Sequence, residues 1–476
     1  MIGCDAIVIG GGAAGIGAAR EFRKAGLERV VVLEARQRLG GRAHSSDELC
    51  CGIPLDHGAQ WIHGYAVSHP LVKLADSLDI SHGPMASQFG TTLFNDGQNV
   101  SPSMVEKGRK CFRHLGREVA RSVAQQPQED CSWLQALERI HSRPQFSPEE
   151  QAMLNLHVYN SCENYEGARL DRWSAKNWNK VTCLGGGNGD VDGGYGSLIV
   201  AAGHDLDVRF DRRVESVVYS NQKTGLVDVH CKTNCSGEEI KETYCAPRCV
   251  VTLPVGVLRA GYVHFEPELP SHKIEAIKNL GTALMDKVEL LWHRQWWPSH
   301  ISSFQIASLE STPTFHPWPW FCEPPLMRKH PLGWAVLVCY VTGRFAEYVE
   351  SLTDDEAISH CLAALRSAFP DEDVPQPAET HVTRWGRDEF AHGSWTYFAV
   401  GSGPSNVHSL REPVGLNGCI AFAGEHTCDG SVRGLDMGTV HGAWLSGELA
   451  ATQLLERIGQ ATGDAAVQDQ GRWRCQ

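Results

Sequence analysis

Residues 5–15 read Asp5-Ala-Ile-Val-Ile-Gly10-Gly-Gly-Ala-Ala-Gly15, and this stretch decides the fold. The apolar run before Gly10 has the character of a strand buried on both faces of a parallel sheet. Each glycine of Gly10-x-Gly12-x-x-Gly15 has its own task in a dinucleotide-binding turn. Gly10 permits the tight turn, Gly12 lets the backbone approach a pyrophosphate, and Gly15 lets helix and strand pack closely. A helix is expected from Ile16 to Ala25, closed by Gly26. Its free N–H groups and dipole favour phosphate at its start. The run Val30-Val-Val-Leu-Glu34 completes a βαβ unit and places a carboxylate where it can bind ribose hydroxyls.

With 476 residues the chain exceeds what one core organises, so two domains are expected. A net charge of −13 argues against a nucleic-acid partner, whose phosphates need a basic surface, and is compatible with a small cationic one. No stretch approaches the ~20 apolar residues of a membrane span, and no basic-then-apolar leader precedes the first strand. A cytoplasmic protein with no membrane partner is expected. The 17 cysteines are odd in number and scattered, so reduced thiols are expected rather than a disulfide framework. Cys231, Cys235, Cys245 and Cys249 have a zinc-like spacing, but their neighbours read as two strands around a Ser-Gly-Glu-Glu turn. A hairpin is expected there, and no metal.

Further along, residues 80–185 mix polar and apolar residues at helical spacing, and residues 205–255 return to strands. Thr353-Asp-Asp-Glu356 forms a capping box ahead of a helix through Phe369. A strand at Ile420-Ala-Phe-Ala-Gly precedes a helix expected from Val440 to Ile458. Residues 459–476 read as a flexible tail.

Between these elements lies an ordered set of motifs: Glu34-Ala-Arg36-x-Arg-x-Gly40-Gly41-Arg42, Asp56-His-Gly58-Ala59-Gln60-Trp61-Ile-His63-Gly64, Gly193-Gly-Tyr-Gly196 and Asp286-Lys287-Val288. It continues with Trp385, Gly393-Ser-Trp395-Thr-Tyr397, Phe422-Ala-Gly424-Glu425-His-Thr and Thr439-Val440-His-Gly-Ala-Trp-Leu-Ser-Gly447. Across nearly the whole chain this set resembles the flavin-containing amine oxidases, which include polyamine oxidases, monoamine oxidases and lysine-specific histone demethylases. The Trp-Ile-His-Gly segment and the length look most like a polyamine oxidase.

The resemblance implies an α/β FAD-binding domain, Rossmann-like and of the glutathione-reductase type, plus an α+β substrate-binding domain. Both are discontinuous: 1–80, 190–285 and 380–458 for the first, 81–189 and 286–379 for the second. FAD is implied, held non-covalently, because the position at which monoamine oxidases tether it through a cysteine matches Ser394. The resemblance sets Gly10, Gly12, Ala14 and Gly15 around the pyrophosphate with Arg42, and Glu34 on the ribose. Arg36 and Gly41 belong to the same binding set, and Val214 lies near the adenine. Gly58, Ala59, Gln60 and Trp61 run along the flavin, Trp385 packs beside its ring, and Gly424 and Glu425 hold the ribityl chain. The helix at Val440 points its N-terminus at the flavin. That partial positive charge favours the reduced anion.

Lys287 matches the lysine that holds a water against flavin N5, although alone it would read as the outward position of an alternating strand. Trp395 and Thr439 match the two side chains that frame the amine. Gln60, His63 and Glu163 are candidate substrate contacts, Glu163 as partner of a distant ammonium. His316-Pro-Trp318-Pro-Trp320-Phe321 is a candidate entrance wall. The expected activity is oxidation of a polyamine by hydride transfer to flavin, with O2 reduced to H2O2 and the imine hydrolysed. Alternatives are oxidation of an amino acid or biosynthetic amine, a chromatin-associated demethylase, and a catalytically silent flavin protein. A monomer or weak homodimer is expected.

Overall fold

The computed structural model describes all residues except 50–51, 86–89, 141–145, 179, 181–183, 220–224, 236–237, 310–319, 325–331 and 464–476. The strands Ala6–Ile9 and Val30–Leu33 pair in parallel, Ala6 against Val30 and Ile9 against Leu33, around the helix Ala13–Lys24. Both strands are fully buried, as an apolar run without alternation requires. They lie at the centre of a five-stranded parallel sheet. Its outer members come from far along the chain: Asp207–Arg209 on one side, Cys249–Val251 and then Ile420–Phe422 on the other.

The final helix, Val440–Gly463, packs along Ala13–Lys24. Two glycines make that approach possible. A Cβ at Gly17 would meet the Trp444 carbonyl at 2.7 Å, and one at Gly447 would meet the Ala14 carbonyl at 1.9 Å. The start of the final helix is thereby fixed beside the Gly10–Gly15 turn. This helix continues past the expected end at Ile458, since one glycine, Gly459, costs about 1 kcal/mol without terminating a helix.

The cysteine-bearing strands Val227–Cys235 and Glu238–Ala246 pair antiparallel from Val227–Ala246 to Cys235–Glu238. They belong to a second five-stranded sheet. Every cysteine whose side chain is described is free.

A six-stranded sheet carries the other large core. Its order runs Glu379–Val382, Met285–Trp292, Ala335–Thr342, Trp320–Cys322, Ser303–Ala307, Thr91–Phe94. Around it lie Pro102–Gln125, Trp133–Glu138 and Pro148–Val158, in the segment expected to be helical. The capping box at Thr353 forms: Glu356 N–H donates to Thr353 Oγ1, and Thr353 N–H donates to Glu356 Oε2 at 2.9 Å. No helix among the described residues is long and apolar enough to cross a membrane.

Candidate active site

One continuous cavity begins at the glycine-rich turn and reaches the six-stranded sheet. It is lined by Gly10, Gly12 and Ala14 at one end and by Lys287, Trp395 and Thr439 at the other. The glycines divide their tasks as their spacing suggests. Gly10 has φ +107°, a region that favours glycine. A Cβ at Gly15 would collide with the Gly10 carbonyl at 1.9 Å, so Gly15 packs against the turn and does not line the cavity. A Cβ at Gly12 would meet nothing closer than 3.8 Å. That open face beside a helix N-terminus is the shape an approaching pyrophosphate needs. The residues present fit a dinucleotide such as FAD.

Glu34 stands at the next corner. Its carboxylate accepts from Gly11 N–H at 2.6 Å and Arg36 N–H at 2.8 Å, which fixes it facing the cavity. Val214 lines the same end. Three residues there were not anticipated: Arg213, Tyr262 and Phe390. Arg36 lies over the Phe390 ring at 5.0 Å, while Arg213 lies 5.5 Å from Tyr262 and 5.6 Å from Phe390. The only hint in the sequence was adjacency, Arg213 to Val214 and Phe390 to the Trp385–Gly393 block.

At the centre, Arg42 donates to Glu425 Oε1 and to the Ser394 carbonyl, each at 3.0 Å. Glu425 also accepts from Thr396 N–H, Thr396 Oγ1 and Gly438 N–H. Burial works against its charge, but Arg42 and these donors hold the carboxyl below its ordinary range. Gly41, Gly58, Ala59, Trp385, Gly424 and Val440 complete the wall, and Trp385 Nε1 donates to the His57 carbonyl at 3.0 Å.

Lys287 is buried, and so is almost every residue of its strand, which is why the outward-facing reading of an alternating strand fails. Its ammonium donates to the carbonyls of Asp56 and Gly58 and, at 3.1 Å, to Gln60 Oε1. It also sits 5.3 Å from the Tyr340 ring centre. Burial lowers its pKa against the pull of Asp56 and Glu289.

Trp395 occupies its position because two glycines make room. A Cβ at Gly167 would come within 2.6 Å of the indole, and one at Gly438 within 3.2 Å. Thr439 has a second task besides facing the cavity. Its hydroxyl accepts from Gly442 N–H at 2.9 Å and so caps the final helix, a contact generally worth about 1 kcal/mol.

Four expected contacts fall elsewhere. Gln60 turns behind Lys287, accepting also from Tyr340 OH at 2.6 Å, so it holds the lysine in place and does not line the main cavity. Trp61 packs at a tilt against Trp320 and Tyr340, at 5.4 and 5.5 Å between ring centres. His63 lies on a strand paired with Gly187–Val191 and is tied to Asn188 Oδ1 at 2.9 Å. Glu163 is wholly buried in the turn Tyr159–Glu163 and paired with Arg344 at 2.6 Å, so its charge is already compensated. His316 and Trp318 lie outside the described residues, whereas Trp320 is buried packing.

A carboxylate that went unnoticed lies three residues on. Glu166 adjoins Gly167, against which the Trp395 indole rests. Burial lifts its carboxyl to about 7, and among the described residues no basic side chain opposes that rise.

The description "Flavin containing amine oxidoreductase" matches residues 13–455. A probable polyamine oxidase of Arabidopsis thaliana is 31% identical, over 95% of this chain and 88% of that protein. The human lysine-specific histone demethylase 2 is 27% identical over 94% of this chain, but only 53% of its own length is covered. Among solved structures, a putrescine oxidase bound to putrescine superposes with TM-score 0.72 at 18% identity, covering 96% of this chain and 99% of that one. FAD held without a covalent bond follows, and Ser394, whose hydroxyl is engaged with Met285 N–H and C=O, offers no thiol to tether it. Acid precipitation should therefore leave the yellow colour in the supernatant, and a coloured pellet would show a covalent link. The match along almost the entire chain, on a cavity that fits FAD and is lined at its end by Lys287, Trp395 and Thr439, makes this chain a member of the flavin-containing amine oxidoreductase family, an FAD-dependent amine oxidase.

Proposed function

We propose that the substrate is a polyamine such as spermine, spermidine or an N-acetylated form, which is converted with O2 and water into an aldehyde, a shorter amine and H2O2. Bound FAD supplies the hydride acceptor for this chemistry. The observation that carries the reading is the end of the cavity itself. Trp395 and Thr439 offer an apolar, cation-tolerant frame, Lys287 is the one ammonium lining this end among the described residues, and Glu166 adjoins Gly167, on which the indole rests.

Glu166 takes the place first considered for Glu163, which Arg344 already neutralises. A second substrate ammonium beside Glu166 would gain a charge-assisted contact in a partly desolvated setting. An amino acid substrate would need a cation for its carboxylate. The arginines lining the cavity are Arg36, Arg42, Arg212 and Arg213. Arg42 is paired with Glu425, and Arg36 and Arg213 stand with Phe390 at the opposite end.

We also propose two units as first drawn, with one boundary moved beyond Val382, because Glu379–Val382 pairs with the strand of Lys287. The substrate reading is tested by kcat/KM for spermine, spermidine, N-acetylspermine, benzylamine and several L-amino acids. A polyamine should lead. Its rate should rise with pH above neutrality, because the reacting amine must be neutral to donate a hydride. Glu166→Gln should raise KM about tenfold for the polyamine and leave benzylamine unchanged. An L-amino acid or benzylamine at the head of the series would overturn the substrate and leave the family intact.

A further inference from the structure

Beside Lys287, three side chains from distant segments converge: His57, Glu289 and His381, separated in sequence by 232 and 92 residues. His57 Nδ1 and His381 Nδ1 lie 2.8 and 2.9 Å from the same oxygen, Glu289 Oε2. The two imidazoles meet edge to face, 4.4 Å between centres. Glu289 has no exposed surface, and its other oxygen, Oε1, is buried with no hydrogen-bond partner among the described residues. A carboxylate in the middle of a buried strand is costly unless its charge and both oxygens are met. The Lys287 ammonium, two residues earlier on the same strand, is already committed to Asp56, Gly58 and Gln60.

We propose that His57, Glu289 and His381 form a binding site for a late first-row divalent cation, Zn2+ or Cu2+. Each residue presents one ligand atom, and these atoms lie within 4.8 Å of one another. Two imidazoles and one carboxylate are a donor set that suits these ions. Bonds of about 2.0–2.1 Å in a tetrahedral site hold ligand atoms about 3.4 Å apart, so the two histidine–Glu289 contacts need to open by about 0.5–0.6 Å. His381, with 42% of its side chain exposed, provides the entry path and leaves a fourth position for water. The Trp385 indole, donating to the His57 carbonyl, holds the backbone of the inner ligand. The segments are too far apart in the chain for any spacing motif to mark them. The inference is independent of which amine the enzyme oxidises.

The test uses FAD-loaded enzyme treated with chelator and desalted. Titration calorimetry with ZnCl2 should show one equivalent bound with micromolar or tighter affinity. His381→Ala and Glu289→Gln should each weaken that binding at least tenfold. With one equivalent of Cu2+, electron paramagnetic resonance should show hyperfine structure from two nitrogens, reduced to one in His381→Ala. If Glu289→Gln does not fold, the half-exposed His381 decides alone. Zn2+ binding of unchanged affinity and stoichiometry in His381→Ala would overturn the site, as would the absence of any binding stronger than millimolar.

Discussion

Arg42→Ala should leave a protein that holds FAD ten to a hundred times more weakly and unfolds more readily by about 3 kcal/mol. The reason is the state in which it leaves Glu425. That carboxylate has 6% of its side chain exposed and is paired with Arg42 at 3.0 Å. Breaking a buried pair from one side costs about 3–5 kcal/mol, because a charge is left in a medium that cannot solvate it. Here the remaining donors, Thr396 and Gly438, soften the loss, which argues for the lower end of that range. The loss of cofactor has a separate origin. The guanidinium lines the same cavity as the open face of Gly12, and a charge-assisted hydrogen bond to phosphate contributes about 1.5–3 kcal/mol. The double variant Arg42→Ala with Glu425→Gln separates the two effects. It should recover stability, since no buried charge remains, but not FAD affinity. Denaturation of the apoprotein and fluorescence titration with FAD measure each quantity apart, which matters because bound FAD itself raises apparent stability. Wild-type values for both in Arg42→Ala would remove the pair from the argument.

The parts of the site that could be read in the sequence are those made by local backbone. The Gly10–Gly15 turn, Glu34, the Thr353 capping box and the strand–loop–helix around Glu425 each lie within a few tens of residues, where turn chemistry and periodicity act directly. Side-chain direction was less legible. The resemblance runs Gly58–Trp61 along the flavin and makes His63 a substrate contact. After Ala59 the segment turns away: Gln60 bends to Lys287, Trp61 into the aromatic stack with Trp320, and His63 to Asn188. Those partners arrive from separate strands, and pairing between distant strands leaves no local trace. Glu163 and Glu166 make the same point three residues apart. Both are acidic residues of one short segment, and only the position of Arg344, elsewhere in the chain, distinguishes the neutralised one. Trp395 is a further case. Its indole is seated against Gly167 and Gly438, and nothing local in the sequence brings either glycine to it.

Lys287→Met should bind FAD normally and slow flavin reduction by the amine, reoxidation by O2, or both, by at least a hundredfold. Methionine keeps much of the volume and the apolar stem, so the strand between Met285 and Trp292 should pack as before. What disappears is the only side-chain ammonium lining this end of the cavity among the described residues. Three oxygens on one segment, of Asp56, Gly58 and Gln60, aim it, and the Tyr340 ring lies 5.3 Å away. A group so fully held is in position before substrate arrives, and prealigned dipoles and charges are what lower a barrier without reorganisation. A hundredfold loss corresponds to about 2.7 kcal/mol. The same substitution removes the Lys287 donor from the Asp56 and Gly58 carbonyls and leaves Gln60 Oε1 with Tyr340 OH alone, at about 1–3 kcal/mol of stability, so a slower enzyme alone would not distinguish chemistry from loosening. Gln60→Leu supplies the comparison, because it removes one anchor and keeps the ammonium. It should cost less than tenfold in either half-reaction while lowering stability similarly. Stopped-flow absorbance of the flavin, with FAD content and unfolding midpoint measured on the same preparations, gives the decision. Half-reactions at wild-type rates in Lys287→Met would make Lys287 a strut of the Asp56–Gln60 segment and leave the amine to react without its help.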